Sequence, residues 1–370
     1  MIIRLSGQEI GVRSRKERRI GFVCTEPCRE IMYLKVLERF EEEVLKREKV
    51  PLYVYISLNN KCNSNCIFCD VHQEERKECI IDMSELISEF SELGTEYIHF
   101  MGGGEPFVDE KIWDYIRDIS DRGMKVAFTT NGLALNKEKI EELSKYNVSH
   151  MFFSIDGHTP EIHNALRRVN GIWETATENI KYIKQYMPHT KIIINHVLNN
   201  RNIGFIEQMV KMSEQVPYDF LNILLVKGCK ELYFTEEQVQ SYSENLHRLK
   251  RVIKESKIQL LYDDIEFFQE QGDYKNGKYK SDDYKCFFPM HSAYIDCTSG
   301  DVFPCDCTVH RDRKKYLCGN LETLSFAQIW TGMKMEEIRE EQINCSQICK
   351  ENCDFANIYF NTMLEEQKKR

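Results

Sequence analysis

From residue 52 onward, short runs of branched and aromatic residues alternate with longer stretches of helical period. The runs are LYVYISL (52–58), YIHFM (97–101), KVAFT (125–129), HMFFSID (150–156), KIIINHV (191–197) and FLNILLV (220–226). Each has the composition of a buried strand. Between them, DMSELISEFSEL (82–93) opens on Asp82 as N-cap, with Glu85 as a capping-box variant, and stops at Gly94. The segments 110–123, 136–146, 171–186 and 203–215 read as helices by the same logic. Strands alternating with helices predict parallel βαβ units with right-handed crossovers. The expected fold is α/β, a (β/α)6 sheet or partial barrel, with chemistry at the C-terminal ends of the strands.

The flanks read differently. Residues 1–50 suggest a short strand pair followed by a charged helix from Cys28 to Arg47. Residues 235–256 form one amphipathic helical stretch, and 271–285 is polar and turn-rich. The expected organisation is an N-terminal extension (1–50), a core (51–228), a helical linker (229–275) and a small cysteine-rich domain (276–370). No repeat of solenoid period stands out.

Composition narrows the function. A net charge of −9 over 370 residues argues against non-specific nucleic-acid binding. The basic run Arg13–Arg19 reads as a solvated surface segment. No apolar run reaches the ~18 residues of a membrane span, and the N-terminus lacks the apolar stretch of a signal peptide. A cytoplasmic protein with no membrane partner is expected. Fifteen cysteines in a reducing compartment then point to metal binding or catalysis. Cys62, Cys66 and Cys69 form one cluster, and eight more crowd the region from Cys286 to Cys353. Two metal regions are the simplest account.

The strand-end rule places the candidate chemistry on one rim. Cys62, Cys66 and Cys69 follow the first strand, GGGEP (102–106) the second and TNG (130–132) the third. Ser154 and Asp156 end the fourth, and Asn195 lies late in the fifth. Soft thiolates suit an iron–sulfur cluster or zinc. Three ligands without a fourth nearby leave an open coordination position, the mark of a catalytic metal. A closed structural site with Cys79 as fourth ligand is the alternative. Consecutive glycines allow close backbone approach to a ligand, and Glu105 adds a carboxylate suited to an amine.

These residues resemble a known family. The triplet Cys62, Cys66 and Cys69, with Phe68 before the last cysteine, resembles the radical S-adenosylmethionine (SAM) motif. Gly103–Gly104–Glu105–Pro106 is similar to that family's GGEP motif. SIDGHTPEIHNALR (154–167) resembles the fourth-strand segment of members with cysteine-rich C-terminal extensions. The resemblance covers about residues 50–228 and implies a [4Fe–4S] cluster on the three cysteines, whose remaining iron binds the amino and carboxylate groups of SAM. It further implies that Gly103, Gly104 and Glu105 meet the amino group and that Phe68 lies by the adenine. Ser154 and Asp156 would contact the ribose or carboxylate, and Arg167, or the adjacent Arg168, would pair with the carboxylate. Reductive cleavage of SAM would give a 5′-deoxyadenosyl radical that removes a substrate hydrogen atom. An electron donor such as flavodoxin or ferredoxin is the implied protein partner.

Cys286, thirteen residues, Gly300, four residues and Cys305 resemble the opening of SPASM and twitch domains, which carry auxiliary iron–sulfur clusters. GNLETLSFAQIW (319–330) resembles the helix entry of the same family. The end departs from the full SPASM pattern: Cys345, Cys349 and Cys353 are each separated by three residues. The expected ligands of one auxiliary cluster are Cys286, Cys305, Cys349 and Cys353. A second cluster would draw on Cys297, Cys307, Cys318 and Cys345. The alternatives are zinc in the tail, or leftover cysteines acting as small buried hydrophobes. Asp306, directly after Cys305, resembles the substrate-deprotonating base of sulfatase-maturing relatives; its other reading is an exposed turn aspartate. The expected function is a radical SAM modification of a ribosomal peptide or protein. The alternatives are dehydrogenation or epimerisation of a sugar- or aminocyclitol-type molecule, towards which Asp70 tilts, and a non-catalytic zinc or iron–sulfur protein.

Overall fold

In the computed structural model, residues 3–5, 8–10, 49–226, 229–260, 286–309 and 312–343 are described. The strand pair near the N-terminus is present as an antiparallel hairpin of β1 (Ile3–Leu5) and β2 (Gln8–Ile10). The helix expected over Cys28–Arg47 and the linker at 271–285 lie outside the described residues.

All six expected strands form: β3 (Tyr53–Ser57), β4 (Tyr97–Phe100), β5 (Lys125–Thr130), β6 (Val148–Ser154), β7 (Lys191–Leu198) and β8 (Phe220–Leu225). They pair in sequence order and in parallel, and the short β9 (Gln259–Leu260) extends the row. The intervening helices are α1 (Met83–Glu92), α2 (Ile112–Asp121), α3 (Lys137–Leu143), α4 (Pro160–Arg167), α5 (Ile172–Tyr186) and α6 (Ile206–Met212). The long helix α7 (Glu236–Glu255) follows β8. Asp82 caps α1 by accepting from the Ser84 and Glu85 amides, and Gly94 leaves the helix at φ +82°. Helix α4 was not visible in the hydrophobic pattern. Pro160 in its first turn and the left-handed Arg168 at its end delimit it.

The C-terminal region does not stand apart from this sheet. Strand β10 (Ser292–Asp296) pairs in parallel with β3, and β11 (Asp301–Phe303) and β12 (Gly319–Asn320) continue antiparallel beyond it. The result is one ten-stranded sheet in the order β12-β11-β10-β3-β4-β5-β6-β7-β8-β9. Gly300 turns the β10–β11 hairpin at φ +75°. Short helices α8 (Phe288–His291), α9 (Asp306–Val309) and α10 (Arg313–Tyr316) flank these strands, followed by α11 (Phe326–Trp330) and α12 (Met333–Ile343). Helix α11 packs on α1: the Phe326 and Phe90 rings meet edge-on at 4.9 Å, and Glu89 accepts from the Ala327 amide at 2.8 Å.

Alternate residues of the parallel strands separate two faces. One buries Val54, Ile56, Ile98, Phe100, Val126 and Phe128 in the core. The other carries Tyr53, Tyr55, His99 and Phe152, with Phe288 of α8 stacked on Tyr55 at 6.4 Å. On this inner face Tyr53 Oη bonds His99 Nδ1 at 2.6 Å, and His99 Nε2 bonds Thr129 Oγ1 at 3.0 Å. Burial holds His99 neutral, its pKa pushed down to about 3.

Candidate iron–sulfur and SAM site

The loop after β3 brings the three N-terminal cysteines together. Ser64 Oγ lies 3.3 Å from Cys62 Sγ and 3.4 Å from Cys66 Sγ. Burial raises the Cys69 thiol above its ordinary pKa, the Val71 amide and Arg167 pull it back, and Cys66 and Cys62 push it further. Cys66 is buried, whereas Cys62 and Cys69 are half-buried. Among the described residues, no three His, Cys, Asp or Glu side chains converge closely enough to enclose a single metal ion. Three soft sulfur donors on one loop fit the corners of an iron–sulfur cluster. Cys79, the alternative fourth ligand, is instead within hydrogen-bonding reach of Cys297.

Helix α4 braces this loop from its C-terminal end. The Asn65 amide donates to the Arg167 carbonyl at 3.3 Å, and the Ile67 amide to the Leu166 carbonyl at 3.0 Å. Arg167 is 7% exposed, and its guanidinium bridges two groups. Nη1 donates to Cys66 Sγ at 3.4 Å and Nη2 meets Asp156 Oδ2 at 2.6 Å. Burial alone would weaken the charge of Arg167, but Asp156 and Cys66 outweigh it and hold the pKa above the ordinary arginine range. The guanidinium also lies over the Phe68 ring, 5.2 Å from its centroid. Arg168, the other candidate, is exposed in the left-handed turn after α4.

This geometry corrects the expectation for Asp156. The residue is 0% exposed, and its Oδ1 accepts from the Val197 amide at 2.7 Å. Its other oxygen holds Arg167, so Asp156 positions the arginine and presents no surface to a ligand. Ser154 is half-buried beside Asn195 of β7, which accepts from Asn222 at 2.7 Å.

The glycine motif serves the cysteine loop directly. A Cβ at Gly103 would stand 2.4 Å from the Asn59 carbonyl oxygen, and one at Gly104 would stand 2.0 Å from that of Lys61. The Gly104 and Glu105 amides donate to these two carbonyls at 2.7 Å. Only glycine permits this approach. Glu105 is not turned towards a ligand: its carboxylate is buried and accepts from Thr130 Oγ1 at 2.6 Å and the Asn131 amide at 2.7 Å. Burial raises its pKa to about 7 against the opposing effect of those bonds. Asn131 then reaches the cysteine loop, donating to Asn63 Oδ1 at 2.7 Å. Sequence reasoning placed TNG on the rim but gave Asn131 no part; Ser64 and His163, which accepts from the Asp156 amide at 3.0 Å, carried no signal. A cavity of about 390 Å³ flanks the loop, lined by Cys62, Asn63, Ser64, Glu74 and Arg76 among others.

In the C-terminal region Cys286 and Cys305 are both buried near the start of β10, where Ser292 Oγ contacts the Pro304 carbonyl at 3.5 Å. Cys297 lies past the other end of that strand, on the order of 15 Å away at ~3.3 Å per residue. It therefore does not join Cys286 and Cys305 around one cluster. Cys318 is packed against Met335 Sδ at 3.8 Å and the Tyr316 carbonyl at 3.5 Å. Burial pushes its thiol up to about 12, as for a small buried hydrophobe. Cys297, against Met83 Sδ, and Cys318, against Met335 Sδ, thus sit in separate surroundings. Cys307 is half-buried on α9, and Cys345, Cys349 and Cys353 lie outside the described residues. Asp306 starts α9 half-buried, close enough for its charge to raise the pKa of the buried Tyr294 phenol, after burial itself. The Tyr294 hydroxyl lies 3.1 Å from where a Gly102 Cβ would stand, beside the glycine rim.

Comparison with known proteins agrees with this arrangement. The radical SAM superfamily model matches residues 56–213, and an iron–sulfur cluster-binding domain, SPASM, matches residues 286–354. An AdoMet-dependent heme synthase of Methanosarcina barkeri is 24% identical over 76% of this chain and 82% of its own length. A tungsten-containing aldehyde ferredoxin oxidoreductase cofactor-modifying protein of Pyrococcus furiosus is 25% identical over 75% of this chain and 80% of its own. Among solved structures, Streptococcus suis SuiB bound to its precursor peptide SuiA superposes with a TM-score of 0.62 at 16% identity. That match covers 95% of this chain and 82% of SuiB. The anSMEcpe enzyme with bound AdoMet gives a TM-score of 0.59 at 17% identity, covering 83% of this chain and 87% of the other.

Proposed function

Since residues 56–213 match the radical SAM superfamily and residues 286–354 an iron–sulfur cluster-binding domain, we propose that the protein is a radical SAM enzyme that oxidatively modifies a ribosomally made peptide or protein by hydrogen-atom abstraction. A SAM-binding [4Fe–4S] cluster, SAM and auxiliary iron–sulfur clusters are the cofactors its domains imply. When bound, they supply reductive cleavage of SAM and a 5′-deoxyadenosyl radical. The observation that carries the reading is the gathering of Cys62 and Cys66 around Ser64 with Arg167 against Cys66. No structural zinc site needs that arginine or the glycine cradle.

The chain's own residues have separable parts in this reading. Cys62, Cys66 and Cys69 would hold the cluster, and Arg167 would place positive charge against the Cys66 sulfur. The exposed Gly102 and Gly103 would offer their backbone carbonyls to an ammonium group, while Glu105 would brace the loop from beneath. Ser154 and Asn195 would face the ribose or substrate from the inner rim. Buried Cys286 and Cys305 would begin an auxiliary cluster completed by Cys349 and Cys353. Asp306, on the next residue, is the candidate substrate base.

The test is anaerobic reconstitution with iron and sulfide. Roughly eight irons per chain are expected for one auxiliary cluster and roughly twelve for two. Reductant and SAM should then release 5′-deoxyadenosine. Cys62→Ala with Cys66→Ala should remove about four irons and all cleavage. Iron-loaded protein that never cleaves SAM overturns the reading. Co-expression with short peptides encoded beside the gene should yield a peptide lighter by two hydrogen atoms. A small-molecule substrate is the second reading, favoured by the relatives named for heme synthesis and cofactor modification. Unchanged peptides alongside active SAM cleavage would favour it.

A further inference from the structure

Two cysteines outside both proposed cluster sites lie on segments joined at the C-terminal end of β10. Cys79 lies on the segment that returns from the cysteine loop to α1, and Cys297 directly follows β10. Their backbones are joined, since the Ile80 amide donates to the Cys297 carbonyl at 2.9 Å, and the Cys297 amide donates to Ser57 of β3 at 2.9 Å. This backbone pairing sets the two side chains close enough that each thiol shifts the other's ionisation. Cys297 Sγ is 0% exposed and lies 3.8 Å from Met83 Sδ, whereas Cys79 is half-buried next to Ile80, which is 53% exposed.

We propose that Cys79 and Cys297 form a reactive dithiol that a small-molecule disulfide converts to an internal cross-link. The asymmetry in exposure sets the order of events. Cys79 attacks the small disulfide as thiolate, releasing one small thiol and leaving a mixed disulfide on Cys79. Cys297, on the adjoining segment and shielded from solvent, then displaces the second small thiol. Both cysteines are oxidised, the small disulfide is reduced to two thiols, and two protons pass to them. The hydrogen bond from Cys297 holds the Cys79 thiol below its ordinary pKa, against burial, while Cys297 is held well above. Attack by Cys79 is thereby favoured over attack by its partner. Asp109 and Lys111 are the charged groups facing Cys79, and Asp296 faces Cys297. The cross-link would tie the return leg of the cysteine loop to the C-terminal strands. It does not depend on which substrate the enzyme takes.

Reconstituted holoenzyme, treated anaerobically with oxidised glutathione, alkylated and digested, gives a direct readout by mass spectrometry. The expected product joins the peptides of Cys79 and Cys297, with iron content unchanged. A glutathione adduct that persists on Cys79 of the unsubstituted protein, or an oxidised protein without this linkage, overturns the proposal. In Cys297→Ala the glutathione adduct on Cys79 should accumulate from a trace to most of the protein. Cys79→Ser is the companion variant: Cys297 should then stay unmodified, and an adduct on Cys297 would also overturn the proposal.

Discussion

Arg167 joins Asp156 at the end of the fourth parallel strand to Cys66 and Phe68 on the cysteine loop far earlier in the chain. Removing its charge leaves Asp156 fully buried and unpaired. Arg167→Met is expected to lower unfolding stability by about 3–5 kcal/mol, measured by urea titration of the cluster-free protein; a loss under ~1 kcal/mol would mean the pair is solvated. Glu105 gives a pH signature. Burial raises its folded pKa to about 7 from the ordinary carboxyl value of 4.5. For an acid raised in this way, the native state favours the neutral form. Its contribution is full below the unfolded pKa and lost as pH rises through 7. Glu105→Gln is neutral throughout. The stability difference, variant minus parent, should therefore grow in the variant's favour between pH 4.5 and 8, and a flat difference would refute the buried-carboxylate account. The cysteine spacing identified the residues that gather. It could not reveal that Asp156 serves Arg167, because a strand-end aspartate reads alike whether it faces a ligand or the core.

At the scale of elements, the glycine turn and the cysteine loop are one device, because the amides of Gly104 and Glu105 donate to the carbonyls of Asn59 and Lys61. Gly104→Ala drives a Cβ to 2.0 Å from a backbone oxygen, so the loop must shift. The reconstituted variant should lose about four irons per chain, read by iron assay. Gly204→Ala is the control, since nothing lies within 4 Å of its added Cβ; it should keep its iron. The strands were legible because runs such as KIIINHV can be little else. The short α4 was hidden because PEIHNALR is only eight residues long, two turns that a loop of the same composition could equally supply. The pairing of Cys79 with Cys297 was equally hidden, because spacing along the chain says nothing about contacts between such distant segments.

For the whole molecule, the decisive feature is the parallel pairing of β10 with β3. Composition suggested a cysteine-rich unit beginning near residue 276, yet its first strand completes the sheet that carries the cysteine loop. A chain ending at residue 285 would leave β3 as a bare, apolar edge, with Tyr53, Val54, Tyr55 and Ile56 all buried in the intact protein. Such a truncation should aggregate on expression, as seen by size-exclusion chromatography. A soluble monomer that still binds iron would show the two parts to be independent.

That pairing also has a consequence in time. Strand β3 leaves the ribosome early, and its second neighbour follows only after about 235 further residues, roughly 12–47 s of synthesis at ~5–20 residues per second. Throughout that interval the flank of the strand leading into Cys62 stays open on the nascent chain. Association with another nascent chain at this edge competes with completion of the sheet until Ser292–Asp296 emerges.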